Sequence, residues 1–174
     1  MLSYLLSLVV IPHGITDIIL SYETNSYHIM SCFYGFIPLL CLYMNNFIYK
    51  MLFIGSSIIH FRHELSPVVP YYIMVNYFVG DVDYNESLYY MIVYLTAIHV
   101  PHHYYIIFKT TNYIYEHITI ILLFTGISYK VSPLLIDWIN IHNGQDKLSK
   151  ILGAFIISHI YLNEYHYLNQ YLKI

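Results

Sequence analysis

The chain has 174 residues, of which 58% are hydrophobic and 10% charged; Lys plus Arg number 7, Asp plus Glu 10 and His 11, for a formal charge of -3. With a mean hydropathy of +0.55 it carries more apolar side chain than a soluble core of this size buries, which predicts an all-α, multi-pass transmembrane helical bundle forming a single integral membrane domain over 1–174. The charges are scattered singly with no basic stripe, which excludes nucleic acid and leaves the lipid bilayer as the expected surrounding.

A helix needs about 20 residues to cross the hydrocarbon core, and on that measure the apolar runs predict about six to seven membrane helices. They lie near 2–20, 29–44, 46–62, 68–80, 88–108, 114–129 and 151–168. The first run has no basic leader or small-residue cleavage site and is interrupted by Pro12, His13 and Asp17, so it reads as a retained helix and not a signal peptide. Cys32 and Cys41 fall within one run at a spacing that suits neither a disulfide framework nor a metal site, and read as packing residues. The run at 68–80 is short and follows "SPVVP", whose prolines set an extended approach, so a re-entrant helix is an alternative there. Asn85-Glu86-Ser87 is a formal glycosylation sequon that decides nothing without a known sidedness. The stretch from Ser132 to Lys150 combines an amphipathic segment bearing Trp138 with a polar loop at Gly144, the pattern of an interfacial helix and a turn.

The histidines carry the chemistry. They gather in "PHGITD" (His13), "IIHFRHE" (His60, His63), "IHVPHHYY" (His99, His102, His103) and "ISHIYLNEYH" (His159, His166). Four residues of helix turn through about 400°, so His99 and His103 project from one face and can chelate one ion. Pro101 between them removes a backbone donor and predicts a kink or local opening that frees the Ala97 carbonyl. If the runs alternate in direction, His13, His60 and His99 lie in the second halves of three parallel helices, at depths differing by roughly 6 Å.

Imidazole ligands without thiolate suit Fe, Zn, Cu or Ni, and such a site with open positions is typical of non-haem iron acting on dioxygen. Asp17 and Glu64, one turn beyond His13 and His60, are placed to hydrogen-bond the second nitrogen of a ligand imidazole, on their own helix or on a neighbour. His159 and His166 share a face of the last helix and either line the pocket or bond helix to helix. His28, His117 and His142, near helix ends or in loops, are not read as ligands.

In order, "PHGITD", "HF" at His60-Phe61 and "HVPHH" resemble the motifs of the Brp/Blh family of membrane β-carotene dioxygenases: PHGxxD, HFG followed by an acid, and HxPxH. Arg62 stands where that family has glycine, and "SHIYL" around His159 is similar to a late Pro-His element with Ser158 in place of proline. The resemblance implies Fe2+ held by His13, His60, His99 and His103, with Asp17 matching the acid of the first motif. It implies oxidative cleavage of the central double bond of a carotenoid by dioxygen to give retinal, with Tyr104 and Tyr105 as flat walls of the substrate pocket. A retinal-binding rhodopsin is then the natural partner. The residues themselves leave open a di-iron membrane desaturase or hydroxylase acting on lipid, since "HVPHH" is an HxxHH box and "HFRHE" begins as HxxH. A bis-histidine haem protein and a catalytically inactive multi-pass membrane protein also stay open.

Overall fold

The protein is described by a computed structural model, which covers residues 6–64, 67–79, 84–110, 114–142 and 147–172. Every element among the described residues is helical. The helices are α1 (Ile15–Glu23), α2 (Tyr27–Tyr43), α3 (Asn46–Phe61), α4 (Val68–Val79), α5 (Tyr84–Tyr94), α6 (Val100–Thr110), α7 (Ile114–His142) and α8 (Lys147–Leu172). Two short π-helical segments, Leu6–Val10 and Leu95–His99, and a 3-10 turn, Pro12–Gly14, complete the set.

The all-helical class agrees with the sequence, but the multi-pass transmembrane bundle does not. Among the described residues no helix is long and apolar enough to cross a membrane, and this overturns the reading of the chain as a multi-pass integral membrane protein. The reason is length and interruption. At about 1.5 Å per residue a crossing takes about 20 residues, whereas α1 has 9, α2 17, α3 16 and α4 12. The expected span at 2–20 is divided into a π segment, a 3-10 turn and α1, and that at 88–108 into α5, a π segment and α6. The two long helices, α7 with 29 residues and α8 with 26, carry Lys130 and Asp137, and Lys150 and Glu164, among their apolar residues. Helix α7 also runs through Pro133 without a break, so the separate interfacial helix expected after residue 132 is a continuation of it. The sequon and the Gly144 loop lie at or beyond the edge of what is described: the side chains of Asn85 to Ser87 and of Trp138, and residue 144, are outside it.

The contacts gather into two compact units. Unit 1 comprises Met1–Thr16 and Phe61–Ile136, and its core joins Phe61, Ile73, Met74 and Tyr94. In it α4 packs on α5, the two π segments touch, and α6 meets the Pro12–Gly14 turn. Each π segment ends two residues before a proline in a Pro-His sequence: Pro12 before His13, and Pro101 before His102 and His103. Proline donates no backbone hydrogen bond, and a widened turn that shifts partners from i−4 to i−5 accommodates it; the Val100 amide donates to the Leu95 carbonyl in this way.

Unit 2 comprises Asp17–His60 and Asp137–Ile174, and its main packing is α2 along α8. Ile37 and Cys41 of α2 bury against Ala154 and Ile157 of α8, flanked by Phe33, Tyr49 and Tyr161. Ser158 Oγ donates to the Phe33 carbonyl at 3.1 Å and Lys150 Nζ to that of Met44 at 2.8 Å, joining the two helices at either end of the contact. Helix α1 stops where Asn25 takes a left-handed conformation, φ 53°, and the Ser26 amide reaches back to the Ser21 carbonyl. Asparagine tolerates that conformation better than other side chains, and the bond satisfies a carbonyl the helix end would leave bare.

Candidate metal centre

In unit 1 three histidines stand together. The ring centroids of His13 and His99 are 5.3 Å apart, those of His13 and His103 5.4 Å, and those of His99 and His103 4.4 Å. The last pair has the i, i+4 relation that the sequence pointed to, carried from the π segment into α6. His13 is set by its own turn: the Gly14 amide bonds the Ile11 carbonyl, and the Val10 carbonyl accepts from His13 Nδ1. Thr16 Oγ1 donates to the His13 carbonyl at 2.5 Å. With Nδ1 engaged as a donor, Nε2 is the nitrogen left to act as a ligand.

His99 is 2% exposed and gives its Nδ1 to Glu64 Oε1 at 2.8 Å, while Phe61 covers its ring at a centroid distance of 5.4 Å. The other oxygen of Glu64 is 3.4 Å from Nδ1 of His102, a half-exposed ring. Glu64 thus serves His99, a neighbouring element's histidine, and not His60 of its own preceding helix.

In unit 2 the His60 and His159 rings meet at 5.5 Å. His159 Nδ1 lies 2.9 Å from both oxygens of Asp17, which is 2% exposed. Asn163 Nδ2 donates to Asp17 Oδ1 at 3.0 Å and to the His159 carbonyl at 2.9 Å, and the Tyr34 hydroxyl donates to Asp17 Oδ2. Burial, reinforced by the adjacent carboxylate, drives the Tyr34 phenol far above its ordinary pKa, so it stays a donor.

Four histidines, His60, His99, His103 and His159, each offer a buried ring nitrogen, and these nitrogens lie within 4.8 Å of one another, an arrangement that could hold a metal ion. The donors fit a borderline transition metal: four imidazoles and no thiolate. Two of them, His99 and His159, give Nδ1 to a carboxylate, as metal-ligating histidines usually do, which would leave Nε2 as the ligand nitrogen for an ion.

Of the four ligands inferred from the motifs, His60, His99 and His103 belong to this group, and His13 stands beside His99 and His103. His159 joins as a donor where the sequence left it either lining the pocket or bonding helix to helix. Asp17 hydrogen-bonds a histidine of a neighbouring helix, His159, which is one of the two arrangements the sequence left open. Tyr104 is half-buried and stacks on Phe108 at 6.0 Å, whereas Tyr105 is 62% exposed. His28 and His63 are exposed and His117 is buried; the side chain of His142 is outside the described residues. Tyr34 and Asn163 were not anticipated. Asn163 had a signal, four residues beyond His159 on the same helix face, while Tyr34 was one tyrosine among 22. No family model, curated protein or solved structure matches the chain.

Proposed function

We propose that the protein is a non-haem iron(II) dioxygenase that cleaves a carotenoid at its central double bond. The observation that carries this reading is the grouping of four buried imidazole nitrogens, two of them on rings whose other nitrogen is held by Glu64 or Asp17. The order of the "PHGITD", "HF" and "HVPHH" motifs supplies the substrate class. Bound Fe2+ supplies the redox chemistry that lets dioxygen react with an alkene. The chain's part is to hold and orient. Glu64 and Asp17 fix the tautomers of His99 and His159, and four uncharged ligands leave the ion its full positive charge and room for further partners. Phe61 shields the His99 ring, and the reaction asks for no acid, base or nucleophile from the protein. One β-carotene and one dioxygen give two retinal, so the reaction balances without a reductant. A retinal-binding rhodopsin is the proposed consumer of the product.

The test is purification without metal, loading with Fe2+ under anaerobic conditions, and addition of β-carotene and air-saturated buffer. Retinal formation at one iron per chain is the expected result. Absence of transition-metal binding overturns the reading. Two irons per chain with a hydroxylated or desaturated lipid product point to the di-iron chemistry, and a Soret band points to haem.

A further inference from the structure

Asp17 is a buried carboxylate whose hydrogen-bond partners among the described residues are His159 Nδ1, Asn163 Nδ2 and the Tyr34 hydroxyl. An ionised carboxylate has about four acceptor sites, and one left empty at this depth is costly. Here the donors divide between the two oxygens. Asn163 takes Oδ1, Tyr34 takes Oδ2, and the His159 N–H is shared between them at 2.9 Å to each. The three donors come from α2 and α8 and meet a carboxylate on α1, so the plane of the carboxylate is fixed from both sides. Asn163 also bonds the His159 carbonyl one turn back along α8, which ties the amide's position to that of the ring it supports. Glu64, which serves His99, has a different setting: its second oxygen faces the half-exposed His102.

We infer that Tyr34 and Asn163 are positioning residues of the metal centre, clamping Asp17 against Nδ1 of His159 so that Nε2 of His159 is the ligand atom. This rests on the reading of the four histidines as a metal site. The loss of either donor leaves one carboxylate oxygen bound only by the shared N–H and lets the carboxylate turn about its terminal torsion, which is soft for aspartate. The imidazole then loses its tautomeric bias, and the ion loses a ligand held ready for it. Their effect therefore passes through Asp17.

Two measurements test this, using Tyr34→Phe, which keeps the ring, and Asn163→Ala. The first is histidine 15N NMR of the metal-free protein, assigned with His159→Gln. His159 is expected as the Nδ1–H tautomer in the wild type and as a mixture in both variants. The second is titration with Co2+ as a spectroscopic probe. Each variant is expected to bind it about 10 to 100-fold more weakly, and Tyr34→Phe is expected to add little to the loss in an Asp17→Asn background. Wild-type tautomer and cobalt affinity in both variants overturn the inference. A Tyr34→Phe loss that persists in full when Asp17 is already asparagine assigns Tyr34 a merely structural role and also overturns it. If the wild type binds no cobalt, the metal reading fails, while the NMR result still decides whether Tyr34 and Asn163 set the tautomer of His159.

Discussion

Glu64 and His99 are 35 residues apart in the chain, yet the carboxylate oxygen and Nδ1 are 2.8 Å apart in a buried contact. Because the imidazole hands its Nδ1 proton toward an acid, its Nε2 becomes the more basic nitrogen. Glu64→Gln keeps the size but weakens the acceptor and can present a donor instead. Affinity for Fe2+ or Co2+ is expected to fall about 10 to 100-fold, measured by competitive titration against a chelator of known affinity. An unchanged affinity assigns Glu64 to packing.

Gly153 of α8 lies against the side chains of Tyr49 and Phe53 of α3. A methyl group there would fall within the Tyr49 hydroxyl and 3.2 Å from Cζ of the ring. Alanine gains about 1 kcal/mol over glycine in a helix interior, but overpacking a fitted contact costs typically about 1–3 kcal/mol, so Gly153→Ala is expected to lower stability in urea unfolding. The same change in a Tyr49→Phe background should cost less, since the clashing hydroxyl is gone. Equal effects in both backgrounds count against this contact.

The parts of the site that were legible in sequence are those set by local geometry. His99 and His103 are one helical turn apart whatever surrounds them, and Pro101 announced a disturbed turn, which took the form of a π segment. The partner of Asp17 was not legible, because His159 lies 142 residues away and only tertiary packing brings it near. The same holds for Tyr34. Mean hydropathy misled on the fold because it sums composition and is blind to where apolar runs are cut. Pro12 and His13 end one run, the turn at Asn25 follows, and many apolar side chains lie outside the core: Phe36 is 66% exposed, Phe47 73% and Leu123 67%.

His166 gives a pH dependence with a definite sign. It is 3% exposed, and burial lowers its pKa below the ordinary 6.5, with Asp17 opposing. The unfolded chain therefore takes up a proton more readily than the native one, and stability is full above pH 6.5 and falls as pH drops below it toward the depressed native value. His166→Gln is expected to flatten that part of the stability profile in metal-free protein, measured by denaturant unfolding between pH 5 and pH 8. A profile as steep as that of the wild type assigns the acid sensitivity to another group.

The fourth ligand separates the motif reading from the structural one. The resemblance gives it to His13; the buried group includes His159 instead and places His13 edge-on to the His99 and His103 rings, with interplanar angles of 80° and 79°. An edge-on ring beside two ligands braces them without having to bind, whereas His159 has its Nδ1 occupied by Asp17. On the structural reading, His159→Ala lowers metal affinity as much as His60→Ala, His99→Ala or His103→Ala, and His13→Ala lowers it less while the stoichiometry stays at one. The exposed His28 and His63 supply controls, and their alanine variants are expected to bind as the wild type does. Co2+ distinguishes the cases directly, because losing a nitrogen ligand changes the intensity of its visible bands and losing a brace chiefly changes the dissociation constant. If His13→Ala alters the spectrum and His159→Ala does not, the motif assignment holds and His159 is a neighbour of the ion.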